Sequence, residues 1–408
     1  MMKCGLLGRK LGHSYSPQIH SMLGSYSYEL FEKEPDQLED FLKNSDFDGI
    51  NVTVPYKKAV IPFLDELSPI AQKLGAVNTI VRRNGKLIGH NTDYFGFSMM
   101  VRESGFDPTG KKVLVLGSGG ASNTAVAVLE EMGANVIVIS RSGENNYGNL
   151  HLHRNAAAIV NATPVGMYPH VSVSPVELNM FPKLGAVLDV VYNPARTQLL
   201  LDAECAGIPT INGLLMLVAQ AKEAAEWFTG EIIDHAAISR IHHTLKNQME
   251  NIVLIGMPGC GKSTIGHLLA EKSGRRFVDA DQLLEESAGC TIPEIFANGG
   301  ETAFRDLETK TLAELGKESG LVIATGGGCV TKERNYPLLH QNGTIFWIRR
   351  DLGLLPTDGR PLSQSSKLSD MYHVRKPLYE SFADRTIDNN ESIEAAVQSV
   401  IQILEERV

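Results

Sequence analysis

A glycine-rich turn between an apolar strand and a helix-forming segment sets the fold of the second half of this chain. The turn reads GMPGCGKS and follows the apolar run NIVLI at residues 251–255. Its G-x-x-x-x-G-K-S spacing is that of a P-loop. In such a loop backbone N–H groups surround the phosphates, the Lys reaches the β- and γ-phosphates and the Ser binds Mg²⁺. We therefore predict a nucleoside triphosphate site, comprising Gly256, Gly259, Cys260, Gly261, Lys262, Ser263 and Thr264.

A second glycine-rich turn lies in the first half of the chain and is built to a different plan. The segment KKVLVLGSGGASNTAVAVLEEMG has the order strand, turn, helix. Small residues in such a turn let a pyrophosphate approach the backbone at the N-terminus of the helix. The pattern predicts a dinucleotide site, with a merely tight turn as the alternative. The predicted residues are Gly117, Ser118, Gly119, Gly120, Ala121 and Ser122.

The end of the next strand indicates which dinucleotide is bound. The run NVIVIS ends in Ser140 and is followed by Arg141, where NAD-binding folds usually carry an acid for the ribose 2′-hydroxyl. A guanidinium suits a 2′-phosphate, so NADP is favoured over NAD, with a solvated surface Arg as the alternative. The stretch 142–158 is turn-rich, although a parallel crossover usually contains a helix. We expect that helix to be missing or vestigial, which leaves the adenosine side of the cofactor less enclosed. This weakens the preference for NADP over NAD, unless Arg154 supplies a second basic side chain for the 2′-phosphate.

Composition limits the partners of the chain. Its 408 residues, 43% hydrophobic, are enough for two or three domains. The net charge of −9 argues against nucleic-acid or anionic-membrane partners and favours small molecules. Five scattered cysteines suit free thiols in a reducing compartment. The N-terminal residues lack the apolar core of a signal peptide, so we expect a cytoplasmic protein. Its oligomeric state stays open between a monomer and a homodimer.

Strand and helix patterns divide the chain into three parts. Residues 1–100 alternate short strands with amphipathic stretches, which is the rhythm of βα units. Residues 101–207 contain continuously apolar runs, as expected for parallel strands covered on both faces. Residues 208–248 read as helices that return to the first part, and residues 249–408 form the third. The predicted fold class is α/β: a two-lobed first half with a Rossmann-like lobe, then a P-loop NTPase-type domain with a parallel sheet.

Clusters of polar residues at strand ends provide candidate catalytic and substrate-binding side chains in the first half. GHSYSP offers the hydroxyls of Ser14 and Ser16, which suit a carboxylate. A Lys near an Asp, among amides and hydroxyls, can move a proton to a substrate oxygen while a hydride moves to carbon. Each residue alone is more often a helix cap or a surface group. The cluster comprises Asn51, Thr53, Lys57, Asn78 and Asp93.

Together these motifs, in this order, resemble a shikimate dehydrogenase over residues 1 to about 240. The resemblance implies reversible reduction of 3-dehydroshikimate to shikimate by NADPH, with Lys57 and Asp93 as the catalytic pair. Ser14 and Ser16 would then hold the substrate carboxylate. The hydroxyls would be bound by Asn51, Thr53, Asn78 and Gln220, with Tyr192 nearby. The cofactor would lie along the turn 117–122, Ser140, Arg141 and Gly213.

Three further clusters in the second half concern the acceptor of the phosphoryl group. VDAD places Asp279 and Asp281 on one face of a predicted strand, one serving Mg²⁺ through water and the other accepting a proton. ATGGGCV places three glycines beyond the end of a strand, where ligands bind open α/β sheets, although such triplets are often only turns. Guanidinium groups pair with carboxylate and phosphate, although any one of them can be a surface residue. These residues are Gly326, Gly327, Gly328, Arg305, Arg360 and Arg375.

This constellation resembles a shikimate kinase over residues 250–408. The resemblance implies that Asp281 deprotonates the acceptor hydroxyl, that Ser263 and Asp279 hold Mg²⁺, and that Lys262 assists transfer from ATP. The substrate would be gripped by Arg305, Arg375 and the glycine triplet 326–328. Arg360 would act from a lid at about 356–369, and Glu308 would orient Arg305. The lid sequence is short and apolar, which predicts weaker nucleotide binding or a looser lid.

The leading interpretation is a bifunctional enzyme that makes shikimate and then phosphorylates it. Two alternatives stay open at this point. One is a quinate/shikimate dehydrogenase fused to another small-molecule kinase. The other is a chain in which one half has become a nucleotide-sensing module, which the shortened stretch after Arg141 would explain.

Overall fold

The computed structural model describes residues 1–12, 14–355 and 365–405. They form two compact units, Met1–Tyr192 with Leu199–Thr244, and Asn193–Gln198 with Leu245–Val408. Strands and helices alternate in both units, which confirms the predicted α/β class. No helix in these ranges is both long and apolar enough to cross a membrane.

The first unit begins with a mixed six-stranded sheet of order β2-β1-β3-β5-β6-β4. Its strands are β1 (Lys3–Gly8), β2 (Ser27–Glu32), β3 (Gly49–Val52), β4 (Glu66–Leu67), β5 (Thr79–Arg83) and β6 (Lys86–His90). The helices that connect them are α1 (Ser16–Ser21), α2 (Leu38–Asn44) and α3 (Pro69–Leu74). Buried Leu, Ile, Val and Phe side chains of β1, β3, β5 and α2 form the core on one face of the sheet.

Part of this sheet departs from the predicted βα rhythm. β5 and β6 pair antiparallel and are joined by Asn84 and Gly85. Both residues have positive φ, 52° and 79°, which is the conformation that a two-residue hairpin turn requires. The Asn-Gly pair was therefore a hairpin signal, and the interpretation of residues 1–100 as βα units overlooked it.

The second sheet of this unit is wholly parallel, with the order β11-β10-β9-β7-β8. Its strands are β7 (Lys112–Leu116), β8 (Asn135–Ile139), β9 (Ala158–Asn161), β10 (Ala186–Asp189) and β11 (Thr210–Asn212). The helices after β6 are α4 (Asp93–Glu103), α5 (Gly120–Glu131), α6 (Gln198–Cys205), α7 (Leu214–Thr229) and α8 (Ala236–Met249). After β7 the chain first forms β8 at one edge of the sheet and then crosses to β9 on the other side of β7. The turn after β7 therefore lies at the switch point where open α/β sheets bind ligands.

The connection from β8 to β9 contains only a short 3-10 helix, Leu150–His153. This confirms the prediction that an α-helix is missing there. Asparagine side chains replace it: Asn149 Oδ1 accepts from the Asn146 N–H at 2.8 Å, and Asn149 Nδ2 donates to Glu144 O at 2.8 Å. β8 lies at the edge of the sheet and is followed by this hydrogen-bonded loop.

The second unit is built on a parallel five-stranded sheet of order β13-β14-β12-β15-β16. Its strands are β12 (Asn251–Ile255), β13 (Arg276–Asp279), β14 (Leu321–Ala324), β15 (Gly343–Arg349) and β16 (Arg385–Asp388). Its helices are α9 (Lys262–Ser273), α10 (Ala280–Ala288), α11 (Ile292–Lys317, kinked at Gly300), α12 (Asn335–His340), α13 (Ser365–Phe382) and α14 (Ile393–Glu405). β12 is buried along its whole length, so the P-loop starts from a rigid central strand.

Candidate active sites

Lys57 and Asp93 form a half-buried ion pair in the first unit. Lys57 follows β3, and Asp93 is the first residue of α4. Lys57 Nζ lies 2.6 Å from Asp93 Oδ2, and the two side chains keep 27% and 13% of their exposure. An ammonium proton and a carboxylate therefore meet at a place that is still open to solvent. Such a pair can deliver a proton to a substrate oxygen and recover it.

Asn78 orients the other oxygen of Asp93. Its Nδ2 donates to Asp93 Oδ1 at 2.9 Å and to Thr92 Oγ1 at 3.0 Å. Its Oδ1 accepts from the Thr92 N–H at 2.7 Å. Gln220 Oε1, from α7, lies 3.4 Å from the same Nδ2. The structure thus brings Asn78, Asp93 and Gln220 together, as the sequence predicted.

Asn51 is held by two residues that the sequence analysis did not select. Its Oδ1 accepts from the Tyr28 hydroxyl at 2.8 Å, and its Nδ2 donates to Thr79 Oγ1 at 3.1 Å. Thr79 and Thr92 each follow an asparagine, in VNT and HNT. That repeated Asn-Thr pair at the ends of neighbouring strands was a usable signal, whereas Tyr28 in β2 had none.

The serines that were predicted for a carboxylate lie at the start of α1. The Ser16 N–H donates to Ser14 Oγ at 3.2 Å. Beside them the rings of Tyr15 and Tyr192 meet edge to face, 6.2 Å apart, and burial raises the pKa of both hydroxyls. Thr53 follows β3, where its N–H donates to Leu7 O at 2.9 Å. Two neutral tyrosine hydroxyls thus belong to this part of the structure.

The turn after β7 has the shape of a phosphate cradle. Gly117 has φ +111°, and a Cβ there would lie 3.0 Å from Thr163 Cγ2, so only glycine fits. A Cβ on Gly119 or Gly120 would meet nothing within 4 Å. This leaves open space before α5, whose first N–H groups have no intrahelical partners. Ser122 Oγ donates to Gly117 O at 2.7 Å and braces the turn. These residues fit a dinucleotide pyrophosphate.

The remaining residues predicted for the dinucleotide lie at strand ends. Ser140 and Arg141 directly follow β8, and the Arg141 side chain is exposed. The Ser140 N–H donates to Asn145 O at 3.1 Å, which starts the Asn-rich loop. Arg154 is exposed after the 3-10 helix. Gly213 precedes α7, where a Cβ would clash with Val190 O, so a larger residue is excluded.

The P-loop of the second unit is closed around its own lysine. Lys262 Nζ donates to Gly256 O at 2.9 Å and to Met257 O at 3.1 Å, and its side chain is buried. Gly256, Gly259 and Gly261 have φ of 144°, 81° and 102°, which L side chains rarely adopt. The amine therefore already lies inside the loop, where the motif binds the β- and γ-phosphates.

The other P-loop residues are placed as the motif predicts. Ser263 Oγ donates to Asp279 Oδ2 at 2.8 Å, which puts a hydroxyl and a carboxylate side by side for Mg²⁺. Cys260 is fully buried, and its carbonyl accepts from Asn389 Nδ2 at 2.8 Å. Thr264 is exposed in the first turn of α9. These residues fit a Mg-nucleotide.

One prediction for this unit was wrong. Asp279 and Asp281 do not share a face of a strand, because β13 ends at Asp279 and Asp281 lies in the first turn of α10. Asp279 Oδ1 accepts from the N–H groups of Asp281 and Gln282, at 3.0 and 3.4 Å. This capping starts the helix. Burial, and then the charge of Asp279, raise the pKa of the Asp281 carboxyl.

The glycine triplet after β14 meets the predicted acceptor residues. A Cβ on Gly326 would lie 2.6 Å from Asp281 Oδ1, and one on Gly328 would clash with Arg305 Nη2. Gly327 approaches Pro258 of the P-loop in the same way, and its carbonyl accepts from Arg375 Nη1 at 3.2 Å. The loop therefore requires glycine because charged side chains and the P-loop pack directly against it.

Arg305 is fixed by a buried partner. Its Nη1 lies 2.8 Å from Glu308 Oε2, in the i, i+3 pairing that the sequence predicted. Tyr379 was not predicted; its hydroxyl donates to the same Gly327 carbonyl. Arg360, with positions 356–364 of the predicted lid, lies outside the described residues, and its role stays a prediction.

Comparison with known proteins identifies the first unit. Residues 6–80 match the model of the shikimate dehydrogenase substrate binding domain. A shikimate dehydrogenase (NADP(+)) of Clostridium perfringens is 37% identical over 264 residues, which cover 59% of this chain and 97% of that protein. The chain belongs to the shikimate dehydrogenase family.

Solved structures agree with this assignment. Shikimate dehydrogenase 1 from Peptoclostridium difficile is 38% identical, with a TM-score of 0.56, and the match covers 60% of this chain and 98% of that protein's chain. Shikimate 5-dehydrogenase from Thermus thermophilus, solved with NADP(H) and shikimate, is 33% identical, with a TM-score of 0.54, and covers 60% and 99%.

The second unit is assigned by a different match. Residues 258–405 match the shikimate kinase family model, a range that contains Lys262, Asp281, Arg305 and Arg375. The two halves of the chain therefore match the two families that the sequence predicted for them, shikimate dehydrogenase first and shikimate kinase second.

Proposed function

We propose that the first unit reduces 3-dehydroshikimate to shikimate with NADPH, and that the second unit phosphorylates the 3-hydroxyl of shikimate with Mg-ATP. The observation that carries this proposal is the presence of two preassembled sites. One pairs Lys57 with Asp93 beside a dinucleotide turn. The other gathers Asp281 and Arg305 beside a P-loop. Each lies in a part of the chain that matches the corresponding family.

In the first site, Lys57 is the proton donor. NADPH, when bound at the turn after β7, supplies the hydride. The ammonium of Lys57 gives its proton to the carbonyl oxygen as the carbonyl carbon accepts the hydride, and Asp93 keeps the amine oriented. Ser14 and Ser16 hold the carboxylate. The hydroxyls are bound by Asn51, Thr53, Asn78 and Gln220, with Tyr192 nearby.

In the second site, Asp281 accepts the proton of the 3-hydroxyl. The oxygen then attacks the γ-phosphorus, and ADP leaves. Ser263 and Asp279 would hold Mg²⁺, which together with Lys262 would neutralise the charge on the phosphates. Arg305 and Arg375 pair with the substrate carboxylate, since guanidinium and carboxylate form two-pronged hydrogen bonds.

Separate assays test the two activities. The wild-type chain should reduce NADP⁺ with shikimate and release ADP from ATP with shikimate. Lys57→Ala should lower the first activity by about 100-fold or more, the usual contribution of a general acid, and leave the second intact. Lys262→Ala should do the reverse. The assignment would be disproved if Lys57→Ala retained both activities, or if the wild type showed no shikimate-dependent turnover.

The setting we propose is the cytoplasm, with small molecules as partners. The five cysteines are free thiols, which suits a reducing compartment. A monomer and a homodimer both accommodate the two sites, since each site is built from residues of one chain.

A further inference from the structure

A buried polar relay lies behind the dehydrogenase site and has no part in the mechanism above. It consists of Ser68, His90 and Glu223. His90 is the last residue of β6 and is 8% exposed. Its Nδ1 lies 2.7 Å from Ser68 Oγ, and its Nε2 lies 3.5 Å from Glu223 Oε1 on α7. A buried histidine between a hydroxyl and a carboxylate calls for a physical role.

Ser68 joins this relay to α3. Its Oγ accepts from the Ala71 N–H at 3.2 Å, because Ser68 caps α3. On the other side of the ring, His90 Nε2 makes no hydrogen bond to the described residues, and Glu223 Oε1 faces it at 3.5 Å. The three side chains thus form one continuous polar contact from α3 through β6 to α7.

The ring of His90 is also held in place by packing. It stacks on Trp227 of α7, with centroids 4.1 Å apart and an interplanar angle of 18°. The Arg83 guanidinium lies over the Trp227 ring, 5.4 Å from its centroid, and Arg83 Nη2 donates to Trp227 O at 2.8 Å. Two turns of α7 are thus attached to the β5–β6 hairpin.

This attachment bears directly on the substrate site. Gln220 lies one turn before Glu223 on α7, and its Oε1 is 3.3 Å from Thr92 Oγ1. The His90 carbonyl accepts from the Asn78 N–H at 3.1 Å, and Thr92 and Asp93 follow His90 in the chain. Movement of α7 relative to β6 would therefore separate Gln220 from Asn78 and Thr92.

We propose that His90 is a positioning residue, which through Glu223 holds Gln220 of α7 against the substrate-binding end of β6. This inference rests on the proposed dehydrogenase function. Because Gln220 binds a substrate hydroxyl in both the ground state and the transition state, its displacement weakens binding and leaves the hydride step almost unchanged. Uniform binding of this kind appears in KM.

Two substitutions at His90 test the proposal in the full chain. His90→Phe keeps an aromatic ring on Trp227 but removes both nitrogens. His90→Gln keeps an acceptor for Ser68 and a donor for Glu223. With NADP⁺ saturating, His90→Phe should raise the KM for shikimate about tenfold, the change that 1.4 kcal/mol produces. Its kcat should stay within about twofold of the wild type, and His90→Gln should restore the KM.

The controls separate positioning from loss of folding. A partly unfolded preparation has a lower apparent kcat at unchanged KM, and the kinase activity of the same chain measures recovery of the second unit. If His90→Phe does not fold, Glu223→Ala removes the same contact from α7 and should give the same rise in KM. An unchanged KM in folded His90→Phe, or a KM that His90→Gln fails to restore, would overturn the proposal. A wild type without shikimate-dependent NADP⁺ reduction would instead overturn the proposed function.

Discussion

The carboxyl group of Asp281 lies where burial and a neighbouring charge both disfavour its ionised form. Burial is the larger cause of its raised pKa, and Asp279 adds to it. A carboxylate with a raised pKa is a stronger base at neutral pH. At the scale of single residues, therefore, the same arrangement that caps α10 also prepares Asp281 to accept a proton.

The pH dependence of the kinase tests this role. The ionised form of Asp281 is the active one, so kcat/KM should fall once the pH is low enough to protonate this carboxyl. Asp281→Asn should lower kcat by about 100-fold or more and abolish this acid limb. An Asp281→Asn chain that kept the acid limb of the wild type would assign that limb to another group.

His20 gives a prediction about stability. Burial lowers its pKa from 6.5 to about 3, so the folded chain holds this ring neutral between Tyr26 and Tyr28. Below pH 6.5 the unfolded chain takes up a proton that the folded chain does not. The unfolding free energy of the first unit should then fall by up to about 1.4 kcal/mol per pH unit until about pH 3.

His20→Phe should flatten this dependence because it retains the stacked ring and removes the titrating group. The measurement is urea unfolding of both chains between about pH 4 and 7, the window set by the two pKa values. The difference between their unfolding free energies should shift steadily in favour of the variant as the pH falls. A difference that is independent of pH would contradict the prediction.

Single residues also mark where sequence reasoning succeeded and failed. Lys57, Asp93 and the P-loop were predictable because each stands in a motif whose chemistry needs that residue type. The position of Asp281 on a helix was not, because the sequence VDAD fits a strand unless the capping by Asp279 is foreseen. His90 and Tyr28 were missed because tertiary contacts, and not local pattern, give them their partners.

At the scale of elements, the loop between β8 and β9 is the main departure from a regular dinucleotide-binding lobe. Its asparagines hydrogen-bond to the backbone in place of an α-helix. The turn-rich stretch 142–158 predicted this from the sequence, whereas the hydrogen bonds that replace the helix depend on side-chain orientation. Arg141 therefore projects from an edge strand that no helix of the described β8–β9 connection covers.

Arg141 should consequently set the preference between NADP⁺ and NAD⁺. Arg141→Ala should reduce kcat/KM for NADP⁺ about tenfold relative to NAD⁺, since a charge-assisted hydrogen bond to the 2′-phosphate is lost. Arg154→Ala is the matched control and tests whether this residue supplies a second basic side chain for the 2′-phosphate. Equal kcat/KM for both cofactors in the wild type would show that Arg141 does not recognise the 2′-phosphate.

At the scale of the whole molecule, two different phosphate-binding turns serve two different reactions. The turn after β7 leaves open space at a helix N-terminus and carries no lysine, which suits a dinucleotide whose phosphates stay intact. The P-loop after β12 places Lys262 and Ser263 where a phosphate can be transferred. The product of the first proposed reaction is the substrate of the second.

One reaction mixture tests this account most directly. The wild-type chain is incubated with 3-dehydroshikimate, NADPH and Mg-ATP, and its products are compared with those of Lys57→Ala and Lys262→Ala chains. We predict shikimate 3-phosphate from the wild type with equal consumption of NADPH and ATP, accumulation of shikimate with Lys262→Ala, and unchanged 3-dehydroshikimate with Lys57→Ala. A wild-type chain that consumes NADPH but leaves shikimate unphosphorylated would contradict the account.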